Sequence, residues 1–580
     1  MTEHASGHNS EGVSRRKTLL GAGALVFGSS IVPTVSASQA GNSGRNDTNV
    51  EGTPIRDWSE MALDTVIEGE IAIPDSGRLY AIVHVAMHDA VNGIHRQRGD
   101  GFEARDQIIV DEQPPAPGAS RVAAVAKAAK VTLEETLLDY LDEDDDVVEE
   151  LQDDYEDLFG EHVSNDTDGN TQAGLEWGET VGNAVRDARE GSGFFEPDED
   201  YPPEEYDPEN LKAGQSQTAH VWGNANLGNL DPWTLDSPDE IRTEVIGEDR
   251  YQEEIAPPNL EDIEWAVDYE KTRLLGDMSD VDLDSDEELD EEDFTVTWSV
   301  DEDPVDADDL QDAVDWIEGR DTEVSARDFD NESVEVLEED DDGNPTKIEL
   351  EFTRPEGFDE LGQFWVALPG TAQPDGRWIQ IANALSEREG LGFTENAWLL
   401  ADVAIAAVDG AVTSWNTKRK YAIKENIGWR PHSPIDSPEK NDGIKDQVED
   451  EDPPTAADDG NPLTEPDPDW ETISGHAASG EHPSGLTLAS TAAQNVLDDY
   501  FPQFDEDSDE FDGDETFSVT VLASGMGAEE GEETTEEFSS FEEARRIAMD
   551  TREYTGRHWR YSLEASATMG QKLAEQILGE

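Results

Sequence analysis

Two long apolar segments constrain the fold of this 580-residue chain most strongly. Leu79–Ile94 (LYAIVHVAMHDAVNGI) is apolar on nearly every side of a helix, and so is Asn396–Trp415 (NAWLLADVAIAAVDGAVTSW). A helix of this kind must be covered by other elements. Asp402 and Asp409 indicate that the second segment lies in a protein core rather than in lipid, and Thr394 is its predicted N-cap. The two segments predict a mainly α-helical fold around buried helices.

Residues 279–353 follow a different pattern. Acidic blocks such as Asp286–Asp293 separate short segments in which apolar and polar residues alternate as in β-strands. The predicted elements are three strands and one helix: Phe294–Val300, Ser333–Leu337 and Lys347–Phe352, with the helix near Asp309–Ile317. We therefore expect a small acidic α+β insertion between helical regions at 56–278 and 354–580. Amphipathic helices are predicted in those regions at Arg121–Tyr140 and Leu563–Leu578.

The charge balance indicates the kind of solvent to which this protein is adapted rather than the reaction that it performs. Lys and Arg number 38 against 140 Asp and Glu, which gives a formal net charge of −102. No nucleic acid or anionic membrane is expected as a partner, because phosphate binding needs clustered basic residues. Molar salt shortens the Debye length to roughly 3 Å, so such a surface suits a halophilic protein. The absence of cysteine excludes disulfides, thiolate metal sites and a cysteine nucleophile.

The first 37 residues have the pattern of a twin-arginine signal peptide. The pair Arg15-Arg16 is followed by an apolar run to Val35 and by Ser36-Ala37, and the run is too short to span a bilayer comfortably. We expect a secreted, extracellular protein with no stable membrane insertion after signal removal. Residues 38–55, which begin with a Gly-, Asn- and Ser-rich stretch, are the predicted linker.

Three short stretches near the C-terminus carry residues that could converge on one anion. The first holds Lys420 and leads to Arg430-Pro431, the second is Pro483-Ser484-Gly485, and the third holds Arg552 and His558. An oxyanion is bound by guanidinium, ammonium, hydroxyl and backbone N–H groups. The serine motif precedes an apolar helical run, so its amides should face an anion at a helix N-terminus. The histidine could attack phosphorus or ligate a metal.

In order and context these motifs resemble those of the vanadium-dependent haloperoxidases and of the type 2 phosphatidic acid phosphatases, the acid phosphatases that share their fold. The resemblance runs from about Asp57 to Leu578 and is interrupted at the acidic insertion. It includes segments such as Gly228–Arg242 (GNLDPWTLDSPDEIR) and Gln363-Phe364-Trp365. It implies a fold of helical bundles with an oxyanion site in the C-terminal half.

The resemblance also implies a cofactor and roles for the motif residues. Lys420, Arg430, Ser484, the backbone of Gly485, Arg552 and His558 would hold vanadate, with His558 bonded to the metal. The implied reaction is oxidation of halide by hydrogen peroxide. In the phosphatase version the histidine would be the nucleophile toward a phosphate ester.

Two positions depart from the family pattern. Leu486 stands where the family has a second histidine, which acts in acid–base chemistry. Ser562 stands where an aspartate commonly orients the metal-binding histidine, so His558 is expected to lack an orienting carboxylate. A nearby histidine, His476 or His482, is a hypothetical substitute for the lost one.

Three functions remain open at this point. Halide oxidation with vanadate is the leading prediction, with phosphomonoester hydrolysis as the alternative. A third reading is an oxyanion-binding protein without turnover, which the departures from the pattern favour. The pocket lysine also stays open, with Lys418 and Lys424 as alternatives to Lys420.

Overall fold

Helix bounds in the computed structural model follow the sequence patterns closely. The predicted helix Arg121–Tyr140 has those same bounds, because Ser120 caps it by accepting a hydrogen bond from the amide of Ala123 at 3.1 Å. The buried segment around Leu79–Ile94 extends to Asp75–Arg98. The fold is mainly helical, as predicted.

The structure describes residues 52–73, 75–98, 105–110, 114, 118–141, 145–190, 225–245, 255, 257–258, 262–277, 291–300, 305–319, 332–424, 431, 435, 461–467, 469–470, 481–511, 513, 515–525, 528 and 531–579, without the side chains of 97–98, 225–226, 244–245, 318–319, 359 and 419–424.

The described α-helices are named here in chain order. They are α1 (Thr53–Glu68), α2 (Asp75–Arg98), α3 (Arg121–Tyr140), α4 (Asp146–Asn165), α5 (Thr171–Glu190), α6 (Ile263–Leu275), α7 (Ala307–Gly319), α8 (Phe358–Val366), α9 (Gln373–Glu389), α10 (Phe393–Lys424), α11 (Gly485–Tyr500), α12 (Phe541–Tyr554) and α13 (Arg560–Leu578). Short 3₁₀ segments at Ala225–Asn229 and Pro502–Phe504 and a π turn at Ile241–Val245 complete the helical structure.

Helices from both halves of the chain share one core. The long helix α10 packs against α2 on one side and α11 on another, and α11 packs in turn against α13. Gly410 allows the contact between α10 and α11, since a Cβ there would lie 2.8 Å from the Cα of Ala489. Trp58, Leu399 and Leu573 belong to the same buried apolar cluster. Residues 46–580 form one compact unit.

The apolar helix α10 lies inside the protein. Its segment Phe393–Lys418 is long and apolar enough to cross a membrane, but 94% of its most apolar stretch is buried by neighbouring elements. Asp409 accepts hydrogen bonds from the amides of Trp233 and Thr234 at 2.8 and 2.9 Å. Burial raises the pKa of Asp409 to about 6. The segment Gly228–Arg242, which resembles the family, is thereby attached to α10.

The acidic insertion is a three-stranded antiparallel sheet in the order β1-β3-β2. Its strands are β1 (Glu292–Ser299), β2 (Glu332–Glu339) and β3 (Pro345–Arg354), so the three predicted strands are confirmed. Ile348, Leu350 and Phe352 alternate along β3 and are fully buried, as expected for one covered face. This face belongs to an apolar cluster shared with α6, α7 and Tyr554 of α12. The insertion is therefore part of the core that supports the C-terminal helices.

Three details of the sequence-based predictions are wrong. Thr394 is not an N-cap, because α10 begins one residue earlier, and its hydroxyl instead hydrogen-bonds Nε2 of His95 at 2.8 Å. The predicted linker overlaps α1, which begins at Thr53 and fully buries Ile55. The C-terminal helical region contains an unpredicted hairpin of β4 (Phe517–Leu522) and β5 (Glu533–Phe538). The predicted signal peptide and residues 38–51 lie outside the described residues.

Candidate oxyanion site

The serine motif forms the N-terminus of α11. Ser484 is the N-cap, and its hydroxyl oxygen accepts hydrogen bonds from the amide and hydroxyl of Thr487 at 3.3 and 3.1 Å. The amide of Ser484 donates to the hydroxyl of Ser566 at 2.7 Å, which fixes the loop to α13. Amides in the first turn of a helix have no partner within it. Those of Gly485 and Leu486 therefore lie at the positive end of the α11 dipole, where anions bind.

Glycine at position 485 is required by an aromatic ring. A Cβ on Gly485 would lie 2.7 Å from Cζ3 of Trp415, which belongs to α10. The hydroxyl of Ser414 donates to the carbonyl of Pro483 at 3.2 Å and holds the same loop from the same helix. The close approach of α10 to the serine loop thus depends on the residue type that the sequence motif specifies.

Arg552 and His558 lie on the two sides of one tight turn between α12 and α13, residues 555–559, which is called the histidine turn below. The carbonyl of Arg552 accepts hydrogen bonds from the amides of Arg557 and His558 at 2.9 and 3.2 Å. The side chain of Arg552 belongs to the last turn of α12, and both it and His558 are more than nine-tenths buried. Burial also lowers the pKa of Arg557. The turn therefore brings the backbones of Arg552 and His558 together.

A carboxylate joins this turn to the serine loop. Nδ1 of His558 and Oε1 of Glu481 form a hydrogen bond of 2.8 Å, and the amide of Trp559 donates to the same oxygen at 3.2 Å. Glu481 is fully buried and stands three residues before Ser484. The expectation that His558 lacks an orienting carboxylate is therefore wrong, because the carboxylate comes from the serine loop instead of position 562.

Lys418 brings the end of α10 to the same loop. Its ammonium donates to the carbonyls of Glu481 and Pro483 at 2.9 and 2.5 Å, and only 2% of the residue is exposed. Its Nζ also lies 5.5 Å from the centre of the Trp415 ring. Among the three candidate pocket lysines, Lys418 is the one with a described side chain.

Two predicted site residues cannot be compared with the others. Lys420 lies on α10, but its side chain is outside the described residues, and Arg430 lies outside them altogether. Ile435, five residues after Arg430, belongs to a buried cluster with Trp559, the residue after His558. Ile435 therefore packs in the same cluster as the residue that follows His558.

A small cavity of about 50 Å³ opens at the N-terminus of α11. Leu486, at the position where the family has a histidine, lines it together with Gly485 and Trp415. Asp375 of α9 lines the same cavity, and burial raises its pKa from 3.8 to about 7. The cavity therefore offers one acid that exchanges protons near neutral pH, although its position in the sequence is unrelated to the serine motif.

His482 is an interior residue. It is 1% exposed, and its ring lies 5.7 Å from that of Tyr561. Burial and the charge of Lys418 lower the pKa of His482 from 6.5 to about 3. It is therefore neutral at physiological pH, which disfavours it as a replacement acid. His476, the other hypothetical substitute, lies outside the described residues.

A buried ion-pair network connects the helices on both sides of the histidine turn to neighbouring elements. Lys271 of α6 lies 3.0 Å from Glu332 of β2 and 3.6 Å from Glu553 of α12. Arg560 of α13 pairs with Asp550 at 2.8 Å and approaches Glu553 at 3.7 Å. These side chains are less than one-tenth exposed. They fix both helices that flank His558 to α6 and to the insertion.

Sequence reasoning assigned no role to Glu481, Trp415 or Asp375. Glu481 lies two residues before the serine motif, and that proximity was the available signal. In a chain with 140 acidic residues, however, a buried carboxylate has the same sequence signature as a solvated one. Within the described residues, no group of three or more histidine or acidic side chains could hold a metal cation. The donors that converge here suit an anion.

A family model and a solved structure resemble this chain. Residues 398–579 match the model of the second helical-bundle domain of the vanadium chloroperoxidases. The described fold is that of the vanadium haloperoxidases, and the resemblance predicted from the sequence is confirmed. The chain is similar to a bacterial vanadium-dependent iodoperoxidase, with 13% identity, a TM-score of 0.54, and coverage of 92% of this chain and 97% of that one.

A holo-type bacterial vanadium-dependent chloroperoxidase is also similar, with 13% identity, a TM-score of 0.44, and coverage of 86% of this chain and 90% of that one. No curated protein sequence matches the chain. At these identities the likeness to solved structures concerns the fold alone.

Proposed function

We propose that this chain is a haloperoxidase-like enzyme that binds vanadate and oxidises halide with hydrogen peroxide. One observation carries the proposal: the ammonium of Lys418, the N-terminus of α11 and the imidazole of His558 converge on the loop at Glu481. Each is a donor or ligand of the kind that a tetrahedral oxyanion requires. The proposed substrates are small molecules, and the proposed location is extracellular.

The residues present fit vanadate by their chemistry. Ser484 and the amide of Gly485 would donate hydrogen bonds to its oxygens, Arg552 would balance its charge, and His558 would bond to the metal. The pocket lysine is proposed to be Lys418, while Lys420 and Arg430 stay predictions. Bound vanadate would activate hydrogen peroxide toward halide without a change in its own oxidation state.

The burial of these groups supports their proposed roles. Lys418, Ser484 and Arg552 are each less than one-tenth exposed, so their charges and dipoles act where water screens them little. The cations also draw anionic reactants toward a surface that otherwise repels them, since the chain carries a net charge of −102. A preorganised anion site of this kind favours reactions in which negative charge develops on oxygen.

The test is a halogenation assay in molar potassium acetate, in which bromide is the only halide supplied. Protein loaded with vanadate is expected to brominate an indicator when peroxide is added, and bound vanadium is measured by elemental analysis. The variant His558→Ala should lose both vanadium and activity. The matched control is His162→Ala, which removes another mostly buried histidine that pairs with Asp57 at 3.1 Å. Inactivity with vanadium bound would overturn the proposed reaction.

Phosphomonoester hydrolysis is the second candidate, and Asp375 is the observation in its favour. Its carboxyl is protonated up to about pH 7 and lines the cavity beside Leu486, so it could protonate a leaving group. His558 would be the nucleophile. Vanadate-sensitive release of phosphate from a chromogenic ester, abolished in His558→Ala and reduced in Asp375→Asn, would favour this function. Oxyanion binding without either activity would indicate a binding protein.

A further inference from the structure

The most informative contact in the site is one that the family pattern does not supply. Position 562 is a serine, and its Oγ is buried without a hydrogen-bond partner among the described residues. Its carbonyl accepts a hydrogen bond from the hydroxyl of Ser566 at 2.5 Å, which belongs to the helix interior. Ser562 itself therefore offers no carboxylate to His558. The imidazole is instead bonded to Glu481, on the serine loop.

The hydrogen bond between His558 and Glu481 is short and buried. The Nδ1–Oε1 distance is 2.8 Å, and the two side chains are 6% and 0% exposed. The amide of Trp559 donates to the same carboxylate oxygen at 3.2 Å, so Glu481 also fixes the backbone beside the imidazole. With Glu481 ionised, its carboxylate only accepts hydrogen bonds, and Nδ1 is then the protonated nitrogen. Nε2 then carries the lone pair that can bond to a metal or attack phosphorus.

The backbone of Glu481 is held independently of its side chain. Its carbonyl accepts a hydrogen bond from Lys418 at 2.9 Å. The peptide therefore has a fixed position relative to α10, and the carboxylate extends from it to the histidine turn. A change confined to the side chain removes the link to His558 and leaves the link to the lysine.

We propose that Glu481 is the positioning residue of His558: it keeps Nδ1 protonated and directs Nε2 toward the oxyanion, in place of the carboxylate missing at position 562. Because one residue joins the serine loop to the histidine turn, it also sets the distance between the two halves of the site. The inference rests on the proposed oxyanion site, and it holds whether the bound anion is vanadate or phosphate.

The first test measures the tautomer of His558 in protein free of oxyanion. Nitrogen-15 NMR of histidine-labelled protein, with His558 assigned from the signals lost in His558→Gln, should show the proton on Nδ1. A proton on Nε2 would overturn the proposal directly. This measurement needs neither cofactor nor turnover, so it tests the inference even when wild-type protein binds no vanadate, a result that would remove the proposed function alone.

The second test measures vanadate and inorganic phosphate binding by calorimetry. Glu481→Gln keeps the size of the side chain but removes its charge, and it should weaken binding by roughly 10–100-fold, as loss of a partner behind a metal-bound histidine typically does. The matched control is Asp89→Asn, which removes a fully buried carboxylate of α2 that accepts hydrogen bonds from the amides of Ile109 and Val110. The control should retain the affinity of the wild-type protein.

Rescue separates positioning from mere structural support. In the Glu481→Gln background, Ser562→Asp restores a carboxylate at the position the family uses, and it should recover much of the lost affinity. Unchanged affinity in Glu481→Gln would overturn the proposal, and so would an equal loss in Asp89→Asn. Urea unfolding of every variant identifies the fraction folded, so affinities are compared per folded molecule.

Discussion

Asp375 should make the stability of this protein fall as pH rises toward neutrality. The carboxyl lines the cavity beside Leu486, and burial raises its pKa to about 7 in the folded protein. In the unfolded chain its pKa returns to 3.8. Between these values the folded state keeps a proton that the unfolded state has lost, so the free energy of unfolding decreases as pH increases.

The size of the effect follows from the two pKa values. A difference between about 7 and 3.8 corresponds to about 4 kcal/mol, at roughly 1.36 kcal/mol for each pH unit. The side chain is 7% exposed, so solvent screening reduces this little. Asp375→Asn has a similar shape and no titration. The variant should match the wild-type protein near pH 4 and exceed its stability by about 4 kcal/mol at pH 8.

The assay is urea unfolding at a series of pH values in constant molar potassium chloride, followed by tryptophan fluorescence. The control is Asp498→Asn, because burial raises the pKa of Asp498 to about 8. The difference in the free energy of unfolding between this variant and the wild-type protein should therefore keep growing to a pH about one unit higher than for Asp375→Asn. Wild-type and Asp375→Asn curves that stay parallel from pH 4 to pH 8 would refute the reasoning.

Three further predictions concern the contacts around the site. Gly485→Ala places a Cβ 2.7 Å from Cζ3 of Trp415 and should cost about 1–3 kcal/mol while weakening vanadate binding, as urea unfolding and calorimetry would measure; unchanged affinity and stability would contradict it. Lys418→Met removes the hydrogen-bond donor of the buried carbonyls of Glu481 and Pro483 and should abolish vanadate-dependent bromination. Full activity would exclude this lysine from the site. Lys271→Met removes one of the two cations that approach the fully buried Glu553, the other being Arg560. It should destabilise the protein by about 3–5 kcal/mol in urea, and a loss below the scatter of the method would contradict the network.

The fold was largely accessible from sequence because its determinants are local. The apolar run of α10 and the Ala-rich pattern of α3 each specify a buried helix within one segment. The alternation in β3 specifies a covered sheet face in the same way. The hairpin of β4 and β5 was missed, because polar side chains such as Glu536 and Thr534 interrupt the alternation in the second strand.

The site was accessible only in part. Ser484, Gly485, Arg552 and His558 follow a linear pattern, and Glu481 links the loop of the first two to the turn that holds the last two. Glu481 acts through a contact between residues 77 positions apart, which no local pattern encodes. Its role became visible once burial distinguished it from the acids at the surface.

The ion pair between Lys271 and Glu332 decides how the acidic insertion can be treated in engineering. Trimming 279–353 to obtain a minimal enzyme would remove Glu332 from Lys271, next to the helices that flank His558. A tail-end fragment starting at 354 would lack Lys271 as well and leave Glu553 without it. The insertion, which the sequence alone would mark as dispensable, stabilises the helices that flank His558, and deletion libraries should leave it intact.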